Sequence, residues 1–438
     1  MSQPLRMISE PTKQTLSSKT RLNQQLNSTG DLSNRPGEMD HIKNSLPAQV
    51  LDFTQLPIWD LAFRPWFLIS TLSSVLSIGA WLLFLHGHLP ALANTGLTPL
   101  AWHIHEMLFG FGATIAVAFL LTAAQTWTQK RSLNGSALLC LTLIWLMVRT
   151  LLWSSDHRLQ VIAIVLQGIW WLTCISFLAS MVFSAKSRRN YQFIPLLSVM
   201  MLLNMSFLIA DFTGDTKFAL HLAHIAILTF GLLVGIVGGR VIPFFTERGG
   251  QNATVTATPI LDKILPVLTI IGIGVFAMSQ FTRLPMTPAI LLIGAGTIHL
   301  LRLLHWDPLS TRKVPLLWSL QLAYFFLGLG LIMLGISFLT HSIAFADALH
   351  LITIGTVGGM ILAMIARVSL GHTGRALKPH PSLNMAFALI FIGTATRFLL
   401  PLFEMSSLGW DISAVCWIAA FSLFIWHYAR ILMSQRVS

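Results

Sequence analysis

Long apolar stretches alternate with short polar segments from about residue 65 to the end of the chain. Stretches of eighteen or more mainly apolar residues recur, and they lack the apolar–polar alternation of barrel strands. An α-helix of that length crosses a hydrocarbon core of roughly 30 Å. The pattern predicts an all-α polytopic membrane protein with about twelve transmembrane helices. The predicted spans are 65–86, 101–124, 135–154, 159–184, 193–211, 218–241, 262–281, 286–304, 315–338, 345–367, 382–402 and 411–431.

The first part of the chain breaks this pattern. Residues 1–57 are rich in Ser, Asn, Gln and Lys and contain no long apolar run. Such a segment cannot bury enough apolar surface to fold, and it lacks the apolar core of a signal peptide. We expect a disordered cytoplasmic tail over 1–57 and one transmembrane domain over 58–438. The composition agrees, since 10% of residues are charged against about 25% in soluble proteins.

Basic residues are distributed unevenly between the two sides of the predicted bundle. Of the 28 lysines and arginines, 23 fall on one side and 5 on the other. The positive-inside rule therefore predicts that both termini are cytoplasmic. This placement also accounts for the net charge of +12 without a nucleic-acid partner. The five on the outer side are Arg149, Arg158, Lys217, Arg283 and Arg397.

Histidines from three helices come to one level in this topology. His103 and His105 open the second helix, His221 and His224 the sixth, and His350 the tenth. All three helices run inward, so these residues lie within roughly 10 Å of the outer surface. Ionisable groups are costly in a bilayer and mark functional sites, and imidazole suits iron, copper and zinc. We predict a metal site near the outer face of the membrane.

The spacing of the histidines limits which of them share a site. His103 and His105 are two residues apart, about 200° around a helix. We expect only one of the pair to bind a metal and favour His105, the deeper one.

The second histidine pair has a different spacing, since His221 and His224 are three residues apart and share a helix face. The cysteines lie singly and form no C-x-x-C-H motif for covalent haem.

Charged residues near the histidines admit several roles. Glu106 could orient a histidine, donate protons during catalysis, or pair with Arg149. Arg149, Arg283 and Arg397 lie at the depth of the histidines and are candidates for binding haem propionates. Lipid head groups and loop carboxylates are the alternative partners of these arginines.

The histidine helices are four helices apart, which indicates a four-helix repeat. Ala219-Leu-His-Leu222 matches Ala348-Leu-His-Leu351, and the third helix of each unit carries an arginine near its outer end. We expect three four-helix units around a pseudo-threefold axis, with the histidine helices facing a shared site. Chance combined with ordinary helix composition is the alternative.

Four motifs together resemble the NnrS family over residues 61–434. They are Phe63-Arg-Pro-Trp-Phe67, Trp102-His-Ile-His-Glu-Met-Leu-Phe-Gly-Phe111, Gly238-Gly-Arg-Val-Ile-Pro-Phe-Phe-Thr246 and Ala366-Arg-Val-Ser-Leu-Gly-His-Thr-Gly-Arg375. The resemblance implies a bacterial inner-membrane protein that contains non-covalent, b-type haem and copper and protects against nitric oxide or nitrosative stress. The predicted inner face carries the remaining motif residues, namely Arg64, Arg240, Arg367, His372 and Arg375.

A more distant similarity is to the catalytic subunit of haem-copper oxidases, which also place metal-binding histidines on helices 2, 6 and 10. This chain departs from them, because its tenth helix has one histidine near the outer end and its seventh has no adjacent pair. Whether nitric oxide is turned over or only bound stays open, as does a quinol or protein electron donor. The alternatives are a transporter and a haem- or metal-handling protein without turnover.

Overall fold

A computed structural model describes residues 53–282, 287–340 and 342–437. The described chain is α-helical, with short 3-10 turns and no strand. The twelve helices are α1 Phe63–Leu85, α2 Pro99–Thr128, α3 Gly135–Leu152, α4 His157–Ser184, α5 Phe193–Phe212, α6 Thr216–Gly249, α7 Pro259–Met278, α8 Ala289–Leu304, α9 Pro315–Ser337, α10 Phe345–His372, α11 Pro381–Leu399 and α12 Ser406–Met433.

The helices confirm an all-α, multi-pass membrane protein. Eleven of those in the described ranges are long and apolar enough to span a membrane. The exception is α8, which has 16 residues, and the predicted eighth span begins within 283–286, outside the described residues. Residues 1–52 of the predicted tail also lie outside them. From Phe53 onward the chain forms short turns, and Trp59 is buried.

Most helices that follow each other in sequence pack together, and α12 returns to pack against α1. The interior is formed by α2, α6, α9 and α10. Their most apolar segments are 67% to 83% buried, against 22% to 44% for the other seven spans. The outer helices expose Leu76, Ile260 and Ile290, as a surface in contact with lipid requires. The three histidine helices therefore all belong to the interior.

Two of the histidine helices contain a π-helical segment beside the histidines. In α2 it covers His105–Ala113, and in α10 it covers Leu351–Gly358. Such segments are rare and are often found at functional sites. In contrast, α6 is α-helical throughout and is longer than predicted, reaching Gly249. It continues past Pro243 because α9 packs on it, where Gln321 Nε2 donates to Thr246 Oγ1 at 2.8 Å.

Candidate functional site

A cavity of about 540 Å³ lies at the end of the bundle where α2, α6 and α10 begin. Each of these helices contributes one histidine to its wall, namely His103, His224 and His350, and α11 contributes Arg397. The remaining wall is mostly aromatic and aliphatic and includes Trp81. This volume and this lining, apolar with a few polar groups, are typical of cofactor sites.

The three cavity histidines differ in their surroundings. His103 stacks on Trp81 of α1 with ring centroids 4.6 Å apart, and its buried Nδ1 has no hydrogen-bond partner among the described residues. His224 packs against Phe345 of α10 at 4.7 Å. The Nδ1–H of His350 donates to the Ala346 carbonyl at 2.6 Å. That bond leaves the Nε2 lone pair of His350 free, the usual arrangement of a metal-binding histidine.

His105, the favoured ligand, lies outside the cavity wall. It is fully buried, and its Nδ1 donates to Glu106 Oε1 at 3.0 Å. Glu106 Oε2 lies 3.6 Å from Arg149 Nε, and Arg149 Nη1 donates to Gln167 Oε1 at 3.3 Å. Residues two apart on a helix point to different sides, and the carboxylate draws His105 toward α3 and α4. The structure thus places His103, not His105, at the cavity.

His221 also points away from the cavity. Its Nε2 donates to the Ala277 carbonyl of α7 at 3.1 Å, and its ring stacks on Phe276 with centroids 5.0 Å apart. Of this histidine pair, only His224 reaches the cavity wall. Within the described ranges, no three His, Cys, Asp or Glu side chains are grouped so that they could hold a metal ion.

Asp347 is a half-buried carboxylate that the sequence did not single out. It pairs with Arg397, whose guanidinium lies 5.6 Å from the Trp410 ring centroid. The signal was a carboxylate three residues before His350 in the first turn of an apolar span. The pair repeats Glu106–Arg149, because in both units a carboxylate on the second helix meets an arginine on the third.

This shared arrangement supports the predicted repeat in the first and third units. In the second unit, the corresponding arginine is Arg283, which lies outside the described residues. Arg149 itself packs over Trp145, 4.5 Å from the ring centroid, and does not line the cavity. Of the two predicted propionate partners within the described residues, Arg149 and Arg397, only Arg397 lines the cavity.

The motif residues of the opposite end contact neighbouring helix ends. Arg64 Nη1 donates to the Leu432 carbonyl at 3.0 Å, and Arg375 Nη2 donates to Ser434 Oγ at 2.9 Å, so both hold the end of α12. Arg240 donates to Asn190 Oδ1 at 2.9 Å.

Aromatic contacts complete this end of the bundle. Arg367 lies 3.8 Å from the Phe245 ring centroid, and His372 lies against the Phe63 ring at 5.7 Å. His372 is twenty-two residues from His350 along α10, or about 33 Å, so the two cannot share a ligand. These contacts favour a structural role for Arg64, Arg367, His372 and Arg375.

The cavity residues fit a haem better than a lone metal ion. Apolar walls suit the macrocycle, a histidine with a free ring nitrogen suits the iron, and an arginine suits a propionate. A copper ion bound by protein side chains alone would need ligands already close together, and the described chain holds no such group of three.

Comparison with known proteins identifies the family. No curated protein matches the chain. The profile of the NnrS family, described as NnrS protein, matches residues 57–436, which is nearly the whole chain and includes all four motifs and the cavity. The chain therefore belongs to the NnrS family.

Proposed function

We propose that this protein binds haem in the cavity at the outer end of α2, α6 and α10 and acts in the bacterial response to nitric oxide. The observation that carries the proposal is the convergence of His103, His224 and His350 on one apolar cavity. Family membership supports the nitric oxide role. When bound, haem would supply an iron centre that binds small diatomic ligands.

The protein side chains would bind and orient the haem. His350 would be the best-placed residue to bind the iron, because its Nδ1–H is already held by the Ala346 carbonyl and its Nε2 is free. Arg397 would neutralise a propionate while Asp347 holds the guanidinium in place. Trp81 and Phe345 would pack against the macrocycle beside the other two histidines.

A cavity inside the membrane suits nitric oxide, which is small and apolar and concentrates in lipid. It reaches such a site without a large aqueous channel. Turnover of nitric oxide would need electrons, and we propose a quinol or a donor protein as their source. Glu106 would then be the proton donor, but it would not act directly from the cavity wall. It lies outside that wall, where it pairs with Arg149 and accepts a hydrogen bond from His105.

The test is a visible absorption spectrum and metal analysis of the full-length protein, purified in detergent from haem-replete cells. We expect a Soret band that shifts on adding nitric oxide. His350→Ala should reduce the band at least tenfold, and His103→Ala and His224→Ala should shift or weaken it. His221→Ala is the matched control, because it lies one turn from His224 but contacts α7 instead.

Two results would contradict the proposal. A wild-type protein without a Soret band would exclude haem and favour transport. Spectra unchanged in all three cavity variants would place the haem elsewhere. Consumption of nitric oxide in the presence of a reductant would distinguish an enzyme from a protein that only binds the gas.

A further inference from the structure

A second cavity, of about 260 Å³, lies between α6, α7 and α8 toward the other end of the bundle. It shares no wall residue with the histidine cavity. Its wall includes Arg240, sixteen residues after His224 on α6, or about 24 Å along the helix. This end carries most of the basic residues and is the predicted cytoplasmic side. The second cavity is therefore a separate site and needs its own explanation.

Positive charge dominates the wall of this cavity. Three arginines line it, Arg189, Arg240 and Arg302, and the acidic residue in the wall is Asp262. Asp262 Oδ1 is already paired with Arg302 Nε at 2.9 Å. The wall thus has a formal excess of two positive charges, and its carboxylate is engaged. An excess of this kind in a membrane protein attracts a negatively charged group.

Hydrogen bonds at the buried side of the cavity add another donor. Arg302 Nη1 donates to the Tyr324 hydroxyl at 2.7 Å, and that hydroxyl lies 2.8 Å from His299 Nδ1. Arginine can only donate, and no other acceptor for the Tyr324 hydrogen is present among the described residues. Tyr324 therefore donates to Nδ1, so the neutral His299 ring carries its own hydrogen on Nε2. His299 lines the cavity as a donor.

Two glycines on α6 make room for these donors. A Cβ atom on Gly235 would lie 2.9 Å from His299 Cε1, and a Cβ atom on Gly239 would overlap the Arg302 guanidinium. Because these positions lack side chains, His299 and Arg302 can lie directly against α6. The helix packing therefore preserves a pocket that is rich in donors and poor in free acceptors.

We propose that this second cavity binds a phosphate group, either from an anionic phospholipid of the adjoining leaflet or as free inorganic phosphate. Phosphate offers several acceptor oxygens, and arginine binds it strongly. The pocket opens beside exposed Arg189, and the apolar residues Ile264 and Val267 of α7 are exposed to lipid next to it. This proposal does not depend on haem binding.

The test titrates delipidated, full-length protein with phosphatidylglycerol or with phosphatidylcholine of the same chain length, using native mass spectrometry. A parallel arm follows thermal unfolding in inorganic phosphate against chloride of equal ionic strength. We expect one saturable equivalent of the anionic lipid, bound at least tenfold more tightly than the zwitterionic one, or a saturable stabilisation by phosphate. A response to lipid alone identifies a head group, and a response to phosphate alone identifies the free ion.

Variants locate the binding to this cavity. Arg189→Gln/Arg240→Gln should weaken it tenfold or more. Gln192→Glu should do the same, because it adds a carboxylate to the wall at an exposed position that tolerates change. Arg248→Gln is the matched control on α6, outside the wall, and should stay within twofold of wild type. No preference for either phosphate source over its control, or an equal loss in Arg248→Gln, would overturn the proposal.

Discussion

Individual residues at the histidine end of the bundle show how the protein accommodates charged side chains inside a membrane. Glu106 and Arg149 are both largely buried, at 3% and 8% exposure. Each is paired with the other, and His105 and Gln167 supply further hydrogen bonds. Removing one partner of a buried ion pair leaves an uncompensated charge, which costs more than the pair itself contributes.

Glu106→Gln should therefore lower the free energy of unfolding by about 3–5 kcal/mol. A denaturant titration of the purified protein, followed by far-UV circular dichroism, measures the change. The double variant Glu106→Gln/Arg149→Met should recover part of the loss, because no charge is then left unpaired. Arg158→Gln, at an exposed position, is the control and should change stability by less than about 0.5 kcal/mol. A stability of Glu106→Gln equal to that control would show that the pair contributes nothing.

At the scale of single helices, α10 has the most buried span of the described helices. Its π-helical segment contains glycines that touch three neighbouring helices. A Cβ atom on Gly355 would lie 2.7 Å from Phe326 Cγ and 2.8 Å from Thr394 Cγ2. Small residues let membrane helices approach closely. The resulting van der Waals contacts stabilise the packing, because lipid provides no hydrophobic driving force between helices. The position of His350 therefore depends on how α10 fits between α9 and α11.

Gly355→Ala should destabilise the protein by about 1–3 kcal/mol, because the added methyl group overpacks this contact. The midpoint of thermal unfolding in detergent measures the effect. Gly79→Ala on α1 is the control, since a Cβ atom there would meet nothing within 4 Å. It should leave the midpoint close to that of wild type. If both variants behave alike, the close approach of α10 does not limit stability.

For the whole molecule, the distribution of basic residues predicts which ends face the cytoplasm. A green fluorescent protein fused after residue 438 should fluoresce, since it folds in the cytoplasm. Alkaline phosphatase inserted between α3 and α4, near Asp156, should be active, since it requires the periplasm. The opposite pattern of reporter activity would show that the bundle has the inverted orientation, with the histidine cavity on the cytoplasmic side.

The sequence alone determined the number and order of the helices and the extent of most of them. Span boundaries agree to within two residues for α1, α3, α5 and α9, because a bilayer fixes the length of an apolar helix. The four motifs also identified the family, and the histidine helices α2, α6 and α10 lie in the interior as expected. These features follow from local composition and from residues close together in the chain.

Only the tertiary structure decided which side chains share a site. His103 and His224 face the cavity, whereas His105 and His221 turn toward α3 and α7. The partners that decide these orientations, such as Arg149 and Ala277, are tens of residues away in sequence. Helix periodicity gives the angle between two side chains but not the direction in which the helix faces. That direction depends on packing against helices distant in sequence, which is why the sequence could not show that His103, and not His105, lines the cavity.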